Sequence, residues 1–217
     1  MNWRAGERVD SVRVNRPVTK VPPDAMTTTI EPQLVRRAAQ GDRTATAMLL
    51  ADVRPGLVRY CRARLGRIGG AYTTADDVAQ EICLAVLRAL PRYREQGTPF
   101  SAFVYAIAGH KVADAQRAAV RAASVTAADP PPETPDAAPG PEQRAVATDL
   151  ARRLSGLLDQ LPDTQREIVV LRVAVGLSAE EVGAIVDMSA AAVRVAQSRA
   201  LARLRTLAGD TLGEVAA

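Results

Sequence analysis

The segment "SAEEVGAIVDMSAAAVRVAQSRALARLR", residues 178–205, carries the strongest structural signal in the chain. It contains two helical patterns three residues apart. Ser178 and Glu181 form the S-x-x-E box that starts a helix by satisfying two orphan amides at once. Val182, Ile185 and Val186 then give that helix an apolar face. Asp187, Met188 and Ser189 make the turn, and Ser189 is a good N-cap for the second helix. Ala190, Ala191 and Ala192 are small enough to let that helix start close against another surface. Val193, Ala196, Ala200, Leu201 and Leu204 share its inner side, whereas Arg194, Ser198, Arg199, Arg203 and Arg205 face outward. No acid occurs between positions 188 and 205. This is the pattern of a helix-turn-helix, whose second helix enters the major groove with its N-terminal residues at base edges. Arginine can pair with guanine O6 and N7 there, and further arginines can hold phosphates. A carboxylate on that face would repel the backbone. The same residues also fit a plain amphipathic surface helix. The capping box, short turn and capped second helix, in that order, favour the helix-turn-helix.

Working upstream, "LPDTQREIVVLRVAVG" predicts a helix from Pro162-Asp163 to Gly176, and "DLARRLSGLLDQL" predicts another through Leu150, Leu154, Leu157, Leu158 and Leu161. Before them, "SVTAADPPPETPDAAPGPEQ" holds six prolines and almost no large apolar residue. That composition fits a linker, placed at 121–147. From Ile30 to about Val120 the pattern is again helical. One helix holds Leu34, Val35, Ala38 and Ala39 and stops at Gly41-Asp42. A second runs from about Ala45 to Leu65, with Pro55 as a kink or first-turn residue. A third runs from Thr74 to Leu90, opened by Thr74 and Asp77, and a fourth from about Ser101 to Val120. Residues 1–29 show no hydrophobic period and read as a flexible tail. Met26, ahead of three threonines, is an alternative start to Met1. The expected architecture is therefore all-α: helical domains at 30–120 and 148–208, a proline-rich linker between them, and a short tail at 209–217.

The totals narrow the class. The 217 residues are 47% hydrophobic but only 3% aromatic, so the cores must be aliphatic. A net charge of +4 and a pI near 9.5 are compatible with an anionic partner. Lys20 and Lys111 are the only lysines. The arginine excess suits phosphate recognition, although GC-rich coding bias explains it as well. Cys61 and Cys83 are too few for a disulfide scaffold or a zinc site and read as reduced thiols. No apolar run reaches 18 residues, and no signal-peptide core is visible. With His110 as the sole histidine, there is no nucleophile–base pair, metal set or glycine-rich phosphate loop to suggest an enzyme, a cofactor or a metal.

Two features mark the first domain. In "ADDVAQEICLAVLRAL", Asp77, Gln80 and Glu81 share one helical face, while Val78, Ile82, Ala85, Val86 and Leu90 share the other. An acidic and amide patch in a basic chain suits a basic protein partner rather than DNA. It also fits a solvated face with acids in the first turn. The second feature is the cluster Tyr93, Phe100, Phe103 and Tyr105, flanked by Arg88, Arg92, Arg94, Lys111 and Arg117. Rings interleaved with cations suit single-stranded nucleic acid, and apolar walls suit a base held out of the stack. Phe100 and Tyr105 fit a purely structural core equally well.

Both constellations, in this order on this tether, resemble the sigma-70 superfamily. They are most similar to the compact extracytoplasmic-function (ECF) sigma factors, which keep only the second and fourth sigma regions. The resemblance covers roughly 31–120 and 147–208. "VRYCRAR", "PRYR", "HKVADA" and "AVRVAQSRALARL" look like the SigD-like actinobacterial group. The resemblance implies a role in transcription initiation, with core RNA polymerase (β′ coiled coil and β subunit) and promoter DNA, duplex and melted, as partners. It implies that Asp77, Gln80 and Glu81 face the β′ coiled coil. Tyr93, Phe100, Phe103, Tyr105, His110, Lys111, Asp114 and Arg117 then recognise and open the −10 element. Ser189, Ala190, Ala191, Arg194, Val195, Ser198, Arg199 and Arg203 read the −35 duplex. It further implies a cytoplasmic protein, monomeric in the holoenzyme, with an anti-sigma factor as a further partner. The chain departs from the family where Phe103 replaces a common tryptophan, Gly109-His110 a common Arg-Asn, and Ala196 a common arginine.

Two promoter elements two helical turns apart are separated by ~70 Å. A linker of about 27 residues spans at most ~90 Å when extended, and ~30 Å on average as a free coil. It reaches only when stretched. The alternative reading is a conventional helix-turn-helix regulator whose first domain binds a ligand or partner.

Overall fold

The computed structural model describes residues 30–65, 74–95, 97–125, 150 and 153–215. The expected N-terminal tail and most of the expected linker lie outside them. Every regular element among the described residues is helical. In chain order these are α1 (Pro32–Ala39), α2 (Arg43–Leu65), α3 (Ala75–Ala89), a single 3₁₀ turn (Leu90–Arg92) and α4 (Phe100–Val125). Then come α5 (153–159), α6 (Asp163–Val169), a π-helical turn (Val170–Val175), α7 (Ala179–Val186) and α8 (Ala190–Val215).

Local chemistry sets the starts and stops. Pro32 opens α1, where its missing N–H costs nothing. Gly41, at φ 94°, allows the reversal into α2. The Asp42 carboxylate accepts the Ala45 N–H at 3.0 Å and the Arg37 guanidinium at 2.6 Å. These partners hold its carboxyl below the usual range, the Ala45 amide contributing most. Thr74 and Ser178 both form full capping boxes, with Asp77 and Glu181. Helix α2 passes through Pro55 without ending.

Two boundaries differ from expectation. Helix α4 continues to Val125 rather than stopping near Val120, and α8 continues to Val215, into the stretch expected as a tail. The expected single helix at 162–176 is α6 plus the π turn. Gly176, at φ 94°, closes that turn, and its N–H reaches back to the Leu171 carbonyl at 3.1 Å. The wider turn accompanies an unusual burial pattern. Ile168, Val170, Leu171 and Val175 enter a large core, while Val169 enters a small one with Leu158, Leu161 and Ala200.

The large core is shared by both halves of the chain. Leu49, Leu57 and Tyr60 of α2, Ile82 and Val86 of α3, and Val104 and Val112 of α4 meet Ile168, Leu171, Val182 and Val193. The sequence led to two helical domains on a proline-rich linker and left open whether they touch. The contact runs through α2, whose buried positions 45, 49, 53, 56, 57, 60, 61 and 65 sweep an arc of roughly 200°. That arc packs on α1, α3, α4 and the π turn, and at Gly56 it meets α4 and the π turn together. Full burial of a Leu or Ile contributes about 1.5–3 kcal/mol each.

Candidate nucleic-acid interface

The helix-turn-helix is built from α7, Asp187–Ser189 and α8. Asp187 takes a left-handed conformation at φ 55°, which aspartate tolerates better than most residues. A Cβ at Gly183 would collide with the Met188 carbonyl oxygen, so only glycine lets the turn fold this closely over α7. The Ser189 hydroxyl accepts the Ala192 N–H at 3.2 Å and caps α8. Val193 and Ala200 are fully buried beneath. Ala196 is half-buried against the large core, so the position where the family often carries arginine is a packing position here. Ser189, Ala191, Arg194, Val195, Ser198, Arg199 and Arg203 are exposed, and Ala190 is half-buried. The residues expected at −35 DNA thus share one solvent-facing surface, apart from Ala190.

Glu180 escaped the sequence reading. It lies in the first turn of α7, and its carboxylate sits 2.6 Å from the Arg194 guanidinium. Its carboxyl is held below the usual range, first by its own backbone N–H and then by Arg194. Among the described residues, Arg199, Arg203 and Arg205 have no acidic partner.

On α3, Asp77, Gln80 and Glu81 are all exposed. They lead into Leu84 and Leu87, which are 43% and 40% exposed. Asp77 has a local task as well. Its carboxylate accepts the Thr74 N–H and hydroxyl, which hold its carboxyl below the usual range. Glu81 lies 3.6 Å from Lys111 of α4, joining two of the expected surfaces.

The eight residues expected at −10 DNA do not share one surface. Helical spacing puts Phe103, His110, Asp114 and Arg117 along one stripe of α4. His110, Asp114 and Arg117 are exposed there, with Asp114 and Arg117 paired at 2.5 Å, and Lys111 is half-buried beside them. Tyr93, Phe100 and Phe103 form a ring cluster with centroids 5.1–5.7 Å apart. Phe100 is its buried floor, while Tyr93 and Phe103 are half-buried and open to an adjoining cleft. Burial raises the Tyr93 hydroxyl's pKa, with Glu95 adding to it. The cleft, about 420 Å³, is lined by Arg92, Tyr93, Arg94, Thr98, Pro99, Ala102 and Phe103, with Ala184 of α7 on its far side. Tyr105 points the other way. It is 6% exposed and stacks edge-on against Tyr60, centroids 5.3 Å apart, in the shared core.

Cys61 and Cys83 are free and buried, and burial pushes the Cys61 thiol up to about 12. No group of three or more His, Cys, Asp or Glu able to hold a metal occurs among the described residues. No described helix is long and apolar enough to cross a membrane.

Comparison with known proteins matches two stretches of the chain to two family models. Residues 49–122 match Sigma-70 region 2, and residues 157–206 match Sigma-70, region 4. The ECF RNA polymerase sigma factor ShbA of Streptomyces griseus is 57% identical over 184 residues, covering 83% of this chain and 96% of that one. The chain belongs to the ECF sigma factors. SigD of Mycobacterium tuberculosis, also an ECF RNA polymerase sigma factor, is 53% identical over 180 residues, covering 82% of this chain and 84% of its own. The solved structure of CnrH, in complex with the cytosolic domain of CnrY, aligns with a TM-score of 0.59 at 26% identity. That alignment covers 82% of this chain and 96% of CnrH. The protein is thus an RNA polymerase sigma factor, with the aromatic rings of the cleft in the first matched region and Arg194, Arg199, Arg203 and Arg205 of α8 in the second.

Proposed function

We propose a division of labour within this sigma factor. The exposed α3 face of Asp77, Gln80 and Glu81 docks on core RNA polymerase, at the β′ coiled coil. The cleft between Tyr93 and Phe103, with Arg92 and Arg94 on its rim, takes bases of the melted −10 strand. The stripe of His110, Lys111, Asp114 and Arg117 guides the adjoining backbone. The α8 surface from Ser189 to Arg203 reads the −35 duplex. The protein supplies binding energy and does no covalent chemistry, and it works as a monomer in the cytoplasmic holoenzyme.

The observation that carries this reading is the contrast between the two surfaces. Half-buried rings beside arginines suit unstacked bases. An arginine face with few acids suits the phosphates and base edges of a duplex. Phe100 and Tyr105 leave the DNA-contacting set in this reading, because both are buried, Phe100 beneath the cleft rings and Tyr105 in the shared core against Tyr60. An anti-sigma factor that covers these surfaces is a further proposed partner.

The test is run-off transcription with purified core polymerase on templates mapped by genomic footprinting of the bound factor. Promoter-dependent product is expected with the wild-type chain and is lost when Gln80 and Glu81 are replaced by alanine. Absence of both core binding and product in the wild type sinks the reading. A gel shift showing tight, specific duplex binding without core polymerase favours an ordinary helix-turn-helix regulator instead.

A further inference from the structure

The leading end of α8 is poor in side chains that can read a base. Between Ser189 and Ser198 the only charged residue is Arg194, and the only amide is Gln197. Gln197 is already engaged, since its Oε1 accepts from Arg172 Nε at 3.0 Å. Ala191 and Ser198 share the exposed face of Arg194 at helical spacing, and both are short. Arg194 therefore carries the one fork of donors on this stretch that is long enough to reach a base edge from the start of the helix.

That fork is held by the other helix. Arg194 Nη2 donates to Glu180 Oε1 at 2.6 Å. Glu180 stands in the first turn of α7, where its carboxylate also accepts its own backbone N–H and is attracted by Arg172. The acid is thus anchored on α7 and fixes a guanidinium on α8. One edge of the fork is used, and the rest of its N–H groups point away from Glu180.

The pair has a cost and a use. Arg194 and Glu180 side chains are 59% and 63% exposed, and a surface pair of that kind adds little to folding. A carboxylate beside the phosphate lattice also repels it. Glu180 therefore lowers the general attraction of this surface for DNA without a matching gain in stability. What it supplies is direction. An unheld arginine turns to the nearest phosphate, a contact that positions the protein but carries no sequence information. An arginine held in one plane presents parallel donors to guanine O6 and N7.

We propose that Glu180 is a positioning residue for base recognition: it keeps the Arg194 guanidinium off the phosphates and aims it at a guanine in the major groove of the −35 duplex. The inference rests on the proposed −35 role of the α8 surface.

The test uses holoenzyme assembled from the full-length chain and core polymerase. A labelled duplex promoter that supports run-off transcription is competed against itself and against a copy with the −35 element scrambled, over a salt series. The wild type should prefer the intact duplex. Arg194→Ala should cut that preference roughly ten-fold. Glu180→Gln should cut it about three- to five-fold, bind the scrambled duplex more tightly and steepen the salt slope by up to about one, as the released arginine turns to phosphate. In the Arg194→Ala background, Glu180→Gln should leave the preference where it was. Glu180→Gln should also melt within a few degrees of the wild type, which separates positioning from support of the fold. The proposal falls if Glu180→Gln leaves the preference unchanged or weakens both duplexes alike. It falls too if Glu180→Gln lowers the preference further in the Arg194→Ala background, a result that puts Glu180 itself on a base. A wild type with no preference for the intact −35 element removes the −35 role of α8 and this inference with it. A wild-type preference that Glu180→Gln does not move removes only the positioning role.

Discussion

Helices α4 and α8 are each 26 residues long, yet they present opposite electrostatics. On α4 the exposed charges are largely cancelled locally, Lys111 by Glu81 and Arg117 by Asp114. On α8 only Arg194 is paired, by Glu180, and Arg199, Arg203 and Arg205 face water without an acid among the described residues. Net cation on a helix suits a lattice of phosphates, where each neutralised charge releases counterions. Cancelled charge beside half-buried rings suits bases, where stacking supplies the free energy. In the proposed reading one chain carries two different grips on the same polymer, with the rings in one matched sigma region and the arginines in the other.

Phe103→Ala tests this contrast most severely. Loss of one stacking ring costs about 1–3 kcal/mol per base, so transcription from an intact duplex promoter should fall by roughly 10–100-fold. The loss should be smaller on a template already melted over the −10 region. An equal loss on both templates would place Phe103 outside strand opening. Gly183→Ala attacks the other grip through its scaffold. The new methyl strikes the Met188 carbonyl and should destabilise the second half by about 1–3 kcal/mol, read by thermal melting.

Arg199→Ala and Arg203→Ala probe the unpaired cations without disturbing the core. Each should weaken duplex binding at every sequence and lower the salt-dependence slope by about one. The matching change on α4, Arg117→Ala, should move the slope less because Asp114 already neutralises it. Unequal slopes support the contrast between the helices, and equal slopes remove it.

The caps provide the smallest effects. Thr74→Ala and Ser178→Ala each remove a capping box and should cost about 1 kcal/mol. Similar shifts in one cooperative melt fit the shared core, while two separate transitions argue for independent halves. Acid adds a detail. The Asp77 carboxyl is depressed in the folded state, so its contribution is complete above the unfolded carboxylate range and is lost as pH falls through the folded value. The gap in melting temperature between wild type and Thr74→Ala should therefore hold above about pH 4 and narrow only as pH falls further, through the depressed folded value.

Much of the site was legible because its determinants are local. Ser178 and Glu181, Thr74 and Asp77, and Ser189 announce helix starts within four residues of themselves. The outward arginines of α8 follow from helical period alone. Tyr105 was half legible, since a core role and a DNA role fitted it equally. It is close in sequence to Phe103, yet helical geometry turns it to the opposite face, where it meets Tyr60. Gly183 carried no signal in a run of small residues, because its need comes from the Met188 carbonyl folding back over it. Glu180 carried no signal either, because its partner Arg194 is brought beside it only by the packing of α8 on α7.

Residue order alone was enough for the all-helical character, the helix-turn-helix, the cationic face and the presence of an aromatic cluster beside arginines. Those properties depend on residues within a few turns of each other. Three-dimensional packing was needed to settle which rings line the cleft, that the segment after α6 widens into a π turn, and that the two halves share a core through Tyr60 and Glu167. Those two residues are 107 positions apart. Their meeting depends on what packs along the buried arc of α2, and a periodicity read along one helix cannot say which neighbour each buried position will meet.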